Sequence, residues 1–261
     1  NPVIITEFAL NDTLEKCIQL ERQSLSPQSW NDTKKLINIY GIASAMAFLH
    51  SNEIIHRDLK PANILEDDYL FPKICDFGLS KNFHQNTESM STQSTLGVKG
   101  TPIYIPPESW KTNESSKSGD VYAFGLIVYE LMTLNEPFKG FTITMLYSRV
   151  VSEGYRPEFK YAIPDCYKQL INSCWSQNPD ERPTFEEIVN ELRNNHDFIT
   201  NSIDEDEFLN YVDLIDNYKT SFDPTKKFKR ITFSKEAEKV SEVETPSEKV
   251  SEIEYPTEIE A

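Results

Sequence analysis

Apolar positions in the first 200 residues recur at helical or strand spacing, and short polar segments separate them. Residues 3–8 are β-branched and aromatic, which predicts a short buried strand. Residues 14–20 predict a short helix, and residues 31–50 predict a longer one with Asn31 or Asp32 as its N-cap. The apolar residues of the longer helix predict one buried stripe: Leu36, Ile39, Ala43, Met46 and Leu49.

The pattern then predicts short strands and loops before helices return. Residues 54–65 and 70–76 are short apolar runs that flank loops. Residues 79–100 are rich in Ser, Thr, Asn and Gln, which predicts a mobile loop. Residues 121–133 are apolar on nearly every face, so we expect a buried central helix there.

Two further helices are predicted near residues 165–176 and 184–194. Thr184 and Glu187 have the spacing of a capping box, in which each side chain satisfies a free backbone amide. Residues 198–218 keep aromatic and aliphatic residues among acids, which predicts one or two helices that pack on the preceding domain.

The end of the chain is repetitive. Residues 238–247 (EKVSEVETPS) and 248–257 (EKVSEIEYPT) are imperfect copies of one acidic ten-residue unit. Such units bury too little apolar surface to offset the entropy of ordering, so we expect disorder from residue 234 onward. The alternative is that the tail forms a strand that adds to the sheet of a partner. The expected binding partner of the tail is a protein.

Composition and charge narrow the classes of function. The 261 residues carry a net charge of −16 and are 38% hydrophobic. Residues 197–261 have a net charge of −9, and residues 1–196 have a net charge of −7. An acidic chain repels nucleic acid phosphates and anionic lipids, so we expect neither nucleic acid nor membrane as a partner. The most apolar segment, residues 121–134, is shorter than the ~20 residues that a membrane crossing needs.

The four cysteines, Cys17, Cys75, Cys166 and Cys174, have no C-x-x-C spacing and no partnering histidines. This pattern argues against a zinc site and against a disulfide framework in a chain of this length. Cys75 follows an apolar run and precedes Asp76, so we expect a buried reduced thiol there. We expect a cytoplasmic protein.

The side chains best suited to catalysis and metal binding are concentrated in residues 56–65, HRDLKPANIL. The sequence D-F-G follows at residues 76–78. Phosphoryl transfer needs a group that orients the attacking hydroxyl and cations that spread the charge of the transferred group. Asp58 suits the first task. Lys60 can reach the γ-phosphate of a nucleotide from the same side.

Other residues of the motif suit a metal and an anion. Asn63 and Asp76 offer hard oxygen ligands of the kind that Mg²⁺ takes in proteins. Arg57 places a guanidinium beside Asp58, where it can pair with a carboxylate or with a phosphate added to the next loop. That loop is rich in hydroxyl residues: Ser80, Thr87, Ser89, Ser91, Thr92, Ser94 and Thr95. The two interpretations of the loop are a phosphorylation site that Arg57 orders and a flexible polar segment.

Three later segments complete a family resemblance: residues 100–108 (GTPIYIPPE), 120–125 (DVYAFG) and 178–184 (NPDERPT). With the two earlier motifs, they make residues 1–196 resemble the C-terminal lobe of a eukaryotic protein kinase. The chain is most similar to the tyrosine-kinase-like group of serine/threonine kinases. The resemblance implies a protein kinase-like α+β fold, here mainly the α-helical C-lobe with short β-hairpins, followed by an acidic tail.

The resemblance also implies contacts inside the domain. Arg182 should bridge Glu108. Asp120 should hold the backbone around His56 and Arg57.

The resemblance further implies catalytic residues, cofactors and a substrate class. Asp58, Lys60 and Thr101 would be catalytic, with the Thr101 hydroxyl bridging the other two. A lysine two residues after the catalytic aspartate is typical of kinases that act on serine and threonine, so a protein with a Ser or Thr acceptor is the expected substrate. ATP and Mg²⁺ are the expected cofactors, with Asn63 and Asp76 as metal ligands.

Residues 6–9 resemble the last strand of the kinase N-lobe and the hinge. By this resemblance Thr6 would be the gatekeeper, and the Glu7 carbonyl and the Ala9 amide would bind adenine. Leu65 would lie under the adenine ring. The alternative for residues 6–9 is a plain edge strand.

The chain departs from the family pattern in two ways. Pro106 replaces the usual alanine before Pro107, which stiffens the segment without removing a catalytic group. No glycine-rich loop precedes the HRDLKPANIL motif, and no lysine precedes Lys16. The residues therefore look cut from a longer protein, with the N-lobe absent. We expect this chain alone to bind ATP weakly and to transfer phosphate negligibly, because the lysine–glutamate pair of the N-lobe and the Asp76 site act together.

The expected division of the chain follows from these motifs. Residues 1–9 would be the last N-lobe strand and hinge, and residues 10–196 the C-lobe. Residues 197–233 would be an acidic helical extension or linker, and residues 234–261 the disordered tail.

The leading interpretation is a serine/threonine protein kinase, and the alternative is a truncated kinase or pseudokinase that acts as a binding or scaffold protein. Asp58, Asn63 and Asp76 are all present, which favours the enzyme because pseudokinases commonly lose one of the two aspartates. A small-molecule kinase is disfavoured by residues 100–108, which resemble a peptide-positioning segment.

Overall fold

A computed structural model describes residues 9, 11–76, 81–82, 100–160 and 162–221 of the chain. Several predictions concern segments outside these residues: the strand at residues 3–8, the hinge residues Thr6 and Glu7, most of the loop at residues 79–100, and the acidic repeats.

Helices dominate the described part. They are α1 (Leu14–Arg22), α2 (Asp32–Ser51), α3 (Ser109–Thr112), α4 (Lys117–Thr133), α5 (Ile143–Met145), α6 (Asp165–Cys174), α7 (Phe185–Asn194) and α8 (Glu205–Ser221). The strands are β1 (Ile54–Ile55), β2 (Ile64–Glu66), β3 (Pro72–Ile74) and β4 (Lys81–Asn82). Strands β2 and β3 form an antiparallel hairpin, and β1 pairs antiparallel with β4.

The core is built around α2 and α4. Residues 119–131 of α4 are all buried, so the predicted central helix is confirmed. The single buried stripe predicted for α2 was too narrow, since residues 35–44 are all buried. The reason is tertiary: α4, α7, α8 and β3 all pack against α2 and together cover most of its surface.

Side-chain caps fix where the long helices begin. The Asn31 side chain accepts a hydrogen bond from the backbone amide of Lys34, which starts α2 as predicted. Thr184 and Glu187 form the complete capping box at the start of α7, so this prediction is confirmed as well.

Two segments differ from the pattern-based expectation. Lys81–Asn82, inside the predicted mobile loop, form the strand that pairs with β1. Residues 143–152, for which the pattern predicted no element, form α5 and then a π-helical segment over Leu146–Ser152. The π-helix was missed because its i→i+5 hydrogen bonds leave no familiar apolar period in the sequence.

Helix α8 packs on α2 and on the β2–β3 hairpin. Its buried face carries Phe208, Tyr211 and Val212. The Tyr211 ring lies 4.5 Å from the Phe71 ring, centroid to centroid. Gly41 of α2 makes room for this contact, because a Cβ at that position would clash with the Tyr211 hydroxyl. The compact unit of the chain therefore extends to the end of α8.

The state and burial of the cysteines can be compared with the prediction of reduced thiols and a buried Cys75. All four cysteines are free. The expectation of a buried Cys75 was wrong: this residue is half-buried, because it follows strand β3, whose residues are themselves only partly covered. Partial burial and the neighbouring Asp76 still raise the pKa of the Cys75 thiol.

None of the described helices combines the length and apolarity that a membrane crossing requires.

Candidate active site

One buried carboxylate holds the HRD loop, residues 56–60. Asp120, in the first turn of α4, accepts hydrogen bonds from the backbone amides of His56 and Arg57, each at 2.9 Å. Its Oδ2 also accepts a hydrogen bond from Nε2 of His50 at 2.9 Å. Asp120 is only 3% exposed, so these bonds act in a low-dielectric interior. The predicted role of Asp120 is confirmed.

Asp58 is the centre of a buried polar cluster. Its Oδ1 accepts hydrogen bonds from the Thr101 hydroxyl at 2.9 Å and from the Thr101 amide at 3.0 Å. Its Oδ2 accepts from Nζ of Lys60 at 2.7 Å. The same Nζ donates to the Thr101 hydroxyl at 2.8 Å, so the predicted bridge between Asp58 and Lys60 is confirmed.

Asn63 belongs to the same cluster. It ends a 3-10 turn, Pro61–Asn63, directly before strand β2. Its Nδ2 donates to the Asp58 carbonyl at 2.8 Å and to Oδ2 of Asp58 at 3.1 Å. These bonds use the nitrogen of the carboxamide and leave its Oδ1 as an oxygen ligand for a cation.

Asp76 follows strand β3, at the same open end of the hairpin as Asn63. The Cys75 amide donates to the Asn63 carbonyl at 3.0 Å, so the two predicted metal ligands lie at adjoining ends of β2 and β3. Asp76 itself is exposed. No cluster of three or more His, Cys, Asp or Glu side chains in the described residues could hold a metal. Two oxygen ligands nevertheless fit Mg²⁺, which keeps several waters and takes phosphate oxygens from a nucleotide.

The His56 ring connects the HRD loop to the hairpin. Its Nδ1 is 3.4 Å from the Asp58 amide, which donates to it, and its Nε2 is 3.0 Å from the Cys75 carbonyl. Because Nδ1 accepts, Nε2 carries the proton and donates to that carbonyl. His56 is therefore a positioning residue that sequence reasoning left without a role, and its place at the head of the motif was the only signal.

Arg57, in the same loop, has a buried Nε that has no hydrogen-bond partner among the described residues. Burial lowers the pKa of the Arg57 guanidinium, and the nearby Asp120 raises it in part. The seven hydroxyl residues that were candidates for phosphorylation all lie outside the described residues.

The predicted adenine site is only partly described. Thr6 and Glu7 lie outside the described residues, whereas Ala9 is half-buried. Leu65 is half-buried in β2, where it forms an isolated antiparallel bridge with Thr13. Leu65 thus lies in the hairpin strand that directly follows Asn63.

Arg182 anchors the segment that ends at Glu108. Its Nη1 and Nη2 bind the two carboxylate oxygens of Glu108 at 2.7 and 2.8 Å, a bidentate pair in which the arginine side chain is fully buried. This predicted bridge is confirmed.

A second buried network was not predicted. The Tyr104 hydroxyl donates to Glu130 of α4 at 2.9 Å, and Arg22 of α1 donates to the other oxygen of the same carboxylate at 2.7 Å. It ties the segment after Thr101 to the core. Burial raises the pKa of Glu130, while its hydrogen bonds with Arg22 and Tyr104 lower it.

The kinase-like motifs and this geometry can be compared with known proteins. The family model described as protein tyrosine and serine/threonine kinase matches residues 1–192 of the chain. The chain belongs to this protein kinase family. Helix α8 lies beyond the matched residues.

Several individual kinases are similar to the chain. A probable serine/threonine-protein kinase of Dictyostelium discoideum is 37% identical over 192 residues, which are 74% of this chain and 20% of that protein. A dual specificity protein kinase of the same organism is 34% identical over 191 residues, 73% of this chain and 13% of that protein. Ankyrin repeat and protein kinase domain-containing protein 1 of Homo sapiens is 36% identical over 198 residues, 71% of this chain and 24% of that protein. The chain spans no more than about a quarter of the length of these kinases.

The predicted membership of the protein kinases is therefore confirmed. The mostly helical structure with two small antiparallel strand pairs is consistent with a kinase domain. Protein kinases use ATP and Mg²⁺ and act on protein substrates.

Proposed function

We propose that this chain carries the phosphoacceptor-side catalytic groups of a serine/threonine protein kinase of the tyrosine-kinase-like group. The reaction transfers the ATP γ-phosphate to Ser or Thr hydroxyls of proteins. The observation that carries the proposal is the cluster in which Lys60 and Thr101 hold both oxygens of the buried Asp58. A cytoplasmic location and a protein partner for the acidic tail belong to the same proposal.

In this proposal Asp58 aligns the acceptor hydroxyl and takes its proton. Both carboxylate oxygens have fixed hydrogen bonds, so the group meets the hydroxyl in one orientation and loses little entropy in doing so. The Lys60 side chain is 23% exposed, and its ammonium can balance charge on the transferred group. Thr101 keeps the aspartate and the lysine at hydrogen-bond distance.

The nucleotide side of the proposal uses the hairpin. Asn63, through its Oδ1, and Asp76 would hold Mg²⁺, which when bound neutralises charge on the ATP phosphates. Leu65 would lie under adenine, with Thr6, Glu7 and Ala9 at its edge. A broader specificity that includes tyrosine is the second candidate, because one similar protein is named a dual specificity kinase.

The test is a phosphotransfer assay with the product of the complete coding sequence. Three peptides that differ only in a Ser, Thr or Tyr acceptor are compared. We expect transfer to the Ser and Thr peptides. Transfer to the Tyr peptide should be slower than to either of them by roughly tenfold or more. Equal rates with Tyr would replace this proposal with dual specificity.

Asp58→Asn is the inactive control of that assay. It should lower transfer by roughly 10²–10⁴-fold at an unchanged melting temperature. Asp68→Asn, at an exposed position in the hairpin turn, is the matched variant and should retain activity. Full activity of Asp58→Asn would remove Asp58 from its role.

A further inference from the structure

A cavity of about 360 Å³ is lined in part by His50, whose ring is hydrogen-bonded to Asp120. It is formed by the C-terminal end of α2, the first turns of α4 and the start of α7. Its volume is within the range of ~300–1,000 Å³ that is typical of small-molecule sites. The proposed phosphotransfer reaction makes no use of it.

The cavity wall contains a hydrogen-bond acceptor on a buried side chain, His50, to which no described residue donates. His50 lines the cavity and is 8% exposed. Its Nε2 donates to the Asp120 carboxylate, because an ionised carboxylate can only accept. In the neutral ring Nδ1 then carries a lone pair, and no described residue donates a hydrogen bond to it.

The remaining walls favour an apolar ring. Ala47, Val121 and Phe185 line the cavity, and the Phe185 ring meets the His50 ring edge to face at 5.1 Å. Such apolar and aromatic side chains favour contact with a flat ring.

Three of the four charged groups that line the cavity are paired, and the fourth, Glu186, is exposed, so an ion pair with it in water would contribute little. Lys117 and Glu53 form an ion pair of 2.8 Å at the rim, and the Arg182 guanidinium is bound to Glu108. A charged ligand would have to compete for these groups or lose hydration without a partner. The lining therefore favours a neutral molecule.

We propose that this cavity binds a small neutral aromatic or heteroaromatic molecule with an O–H or N–H group that donates to Nδ1 of His50. Occupancy is transmitted to the HRD loop through Asp120. Binding needs no nucleotide and is independent of the proposed kinase reaction.

The effect of a bound ligand reaches the HRD loop through one oxygen of Asp120 that His50 and His56 share. Oδ2 of Asp120 accepts hydrogen bonds both from Nε2 of His50 and from the His56 amide. A donor at Nδ1 draws electron density from the ring and makes Nε2–H a stronger donor. The stronger bond from Nε2 to Oδ2 changes the hydrogen bond that the same oxygen accepts from the His56 amide of the HRD loop.

The test is NMR on the 261-residue chain with 2-naphthol as the probe. The chain has four histidines, so the His50 imidazole signal is assigned by its loss in His50→Gln. We expect saturable shifts of the His50 imidazole and of the His56 and Arg57 amides. 2-Methoxynaphthalene has the same rings without the donor and should bind roughly tenfold more weakly. Absence of a saturable His50 shift, or equal affinity for both compounds, would overturn the proposal.

Two variants of α2 locate the site. Ala47→Leu extends a side chain into the cavity, whereas Ala45→Leu makes the same change at a half-buried position that does not line it. Ala47→Leu should weaken 2-naphthol binding by roughly tenfold or more, and Ala45→Leu should leave it within about twofold. The same affinity in both variants would contradict binding in this cavity.

Discussion

The two sides of the candidate active site are held in different ways. On the acceptor side, Asp58 is 8% exposed, and hydrogen bonds from Lys60 and Thr101 fix its carboxylate. On the nucleotide side, Asp76 is exposed at the end of the hairpin, and Leu65 is half-buried. The chain thus fixes the group that would meet the acceptor hydroxyl before any ligand binds, whereas Asp76, one of the two proposed cation ligands of the nucleotide side, faces solvent.

The support behind each side also differs. The acceptor side rests on Asp120 of α4, which lies within the residues that match the kinase family. The hairpin of the nucleotide side is packed by Tyr211 of α8, which lies beyond the matched residues. Separate variants can therefore weaken one side and spare the other.

The largest expected effect is on the acceptor side. Asp120→Ala leaves three buried donors without an acceptor, so we expect the free energy of unfolding to fall by about 4 kcal/mol. Urea denaturation measures the change. Asp68→Ala, at an exposed position, should stay within about 0.5 kcal/mol of the original chain. A loss below about 1 kcal/mol for Asp120→Ala would contradict the central role of this carboxylate.

The next effect concerns the hairpin. Tyr211→Ala removes a buried ring from the contact with Phe71 and should lower the free energy of unfolding by about 3 kcal/mol. Hydrogen exchange of the Cys75 amide, which bonds to Asn63, should accelerate more than that of the His56 amide. Leu209→Ala, on the exposed side of α8, is the matched control. Equal acceleration of both amides would show that α8 supports the domain as a whole and not this hairpin in particular.

A smaller effect depends on pH. Glu66 at the end of β2 is fully buried, and burial raises the pKa of its carboxyl from 4.5 to about 8, opposed by a hydrogen bond from Asn38. The folded state therefore binds a proton that the unfolded chain releases above its ordinary pKa. Stability should fall as pH rises between 4.5 and about 8.

Glu66→Gln keeps the shape of the side chain and removes its charge. The variant should lose this part of the pH dependence and become more stable than the original chain at pH 8, which thermal unfolding across the pH range can measure. Glu114→Gln, at an exposed position, should follow the original profile. A Glu66→Gln profile parallel to the original one would show that Glu66 does not titrate in this window.

The difference between the two sides also explains what the sequence could predict. Asp58, Lys60, Asn63 and Asp76 lie in short motifs with fixed spacing, and the contacts of Asp120 and Arg182 followed from a family resemblance. The Arg22–Glu130–Tyr104 network joins residues 26 to 108 positions apart, so no local pattern announces it.

The burial of Glu66 was missed for a related reason, whereas the packing of α8 was predicted from the apolar residues of its sequence. An acid at the end of a short strand is ordinarily exposed, and the cover over this one comes from α2 and from residues far along the chain. For Cys75 the error has the opposite direction. Its apolar run predicted burial, but the edge of the hairpin leaves the residue only partly covered.

The most direct measurement compares Asp58→Asn and Asp76→Asn for kcat and for the KM of Mg-ATP, with the product of the complete coding sequence and a serine peptide. Asp58→Asn should lower kcat by roughly 10²–10⁴-fold and leave the KM for Mg-ATP within about twofold. Asp76→Asn should raise the KM for Mg-ATP as well as lower kcat, and the rise should shrink at higher Mg²⁺. If Asp58→Asn kept its kcat, or if both variants raised the KM for Mg-ATP alike, the division into an acceptor side and a nucleotide side would be contradicted.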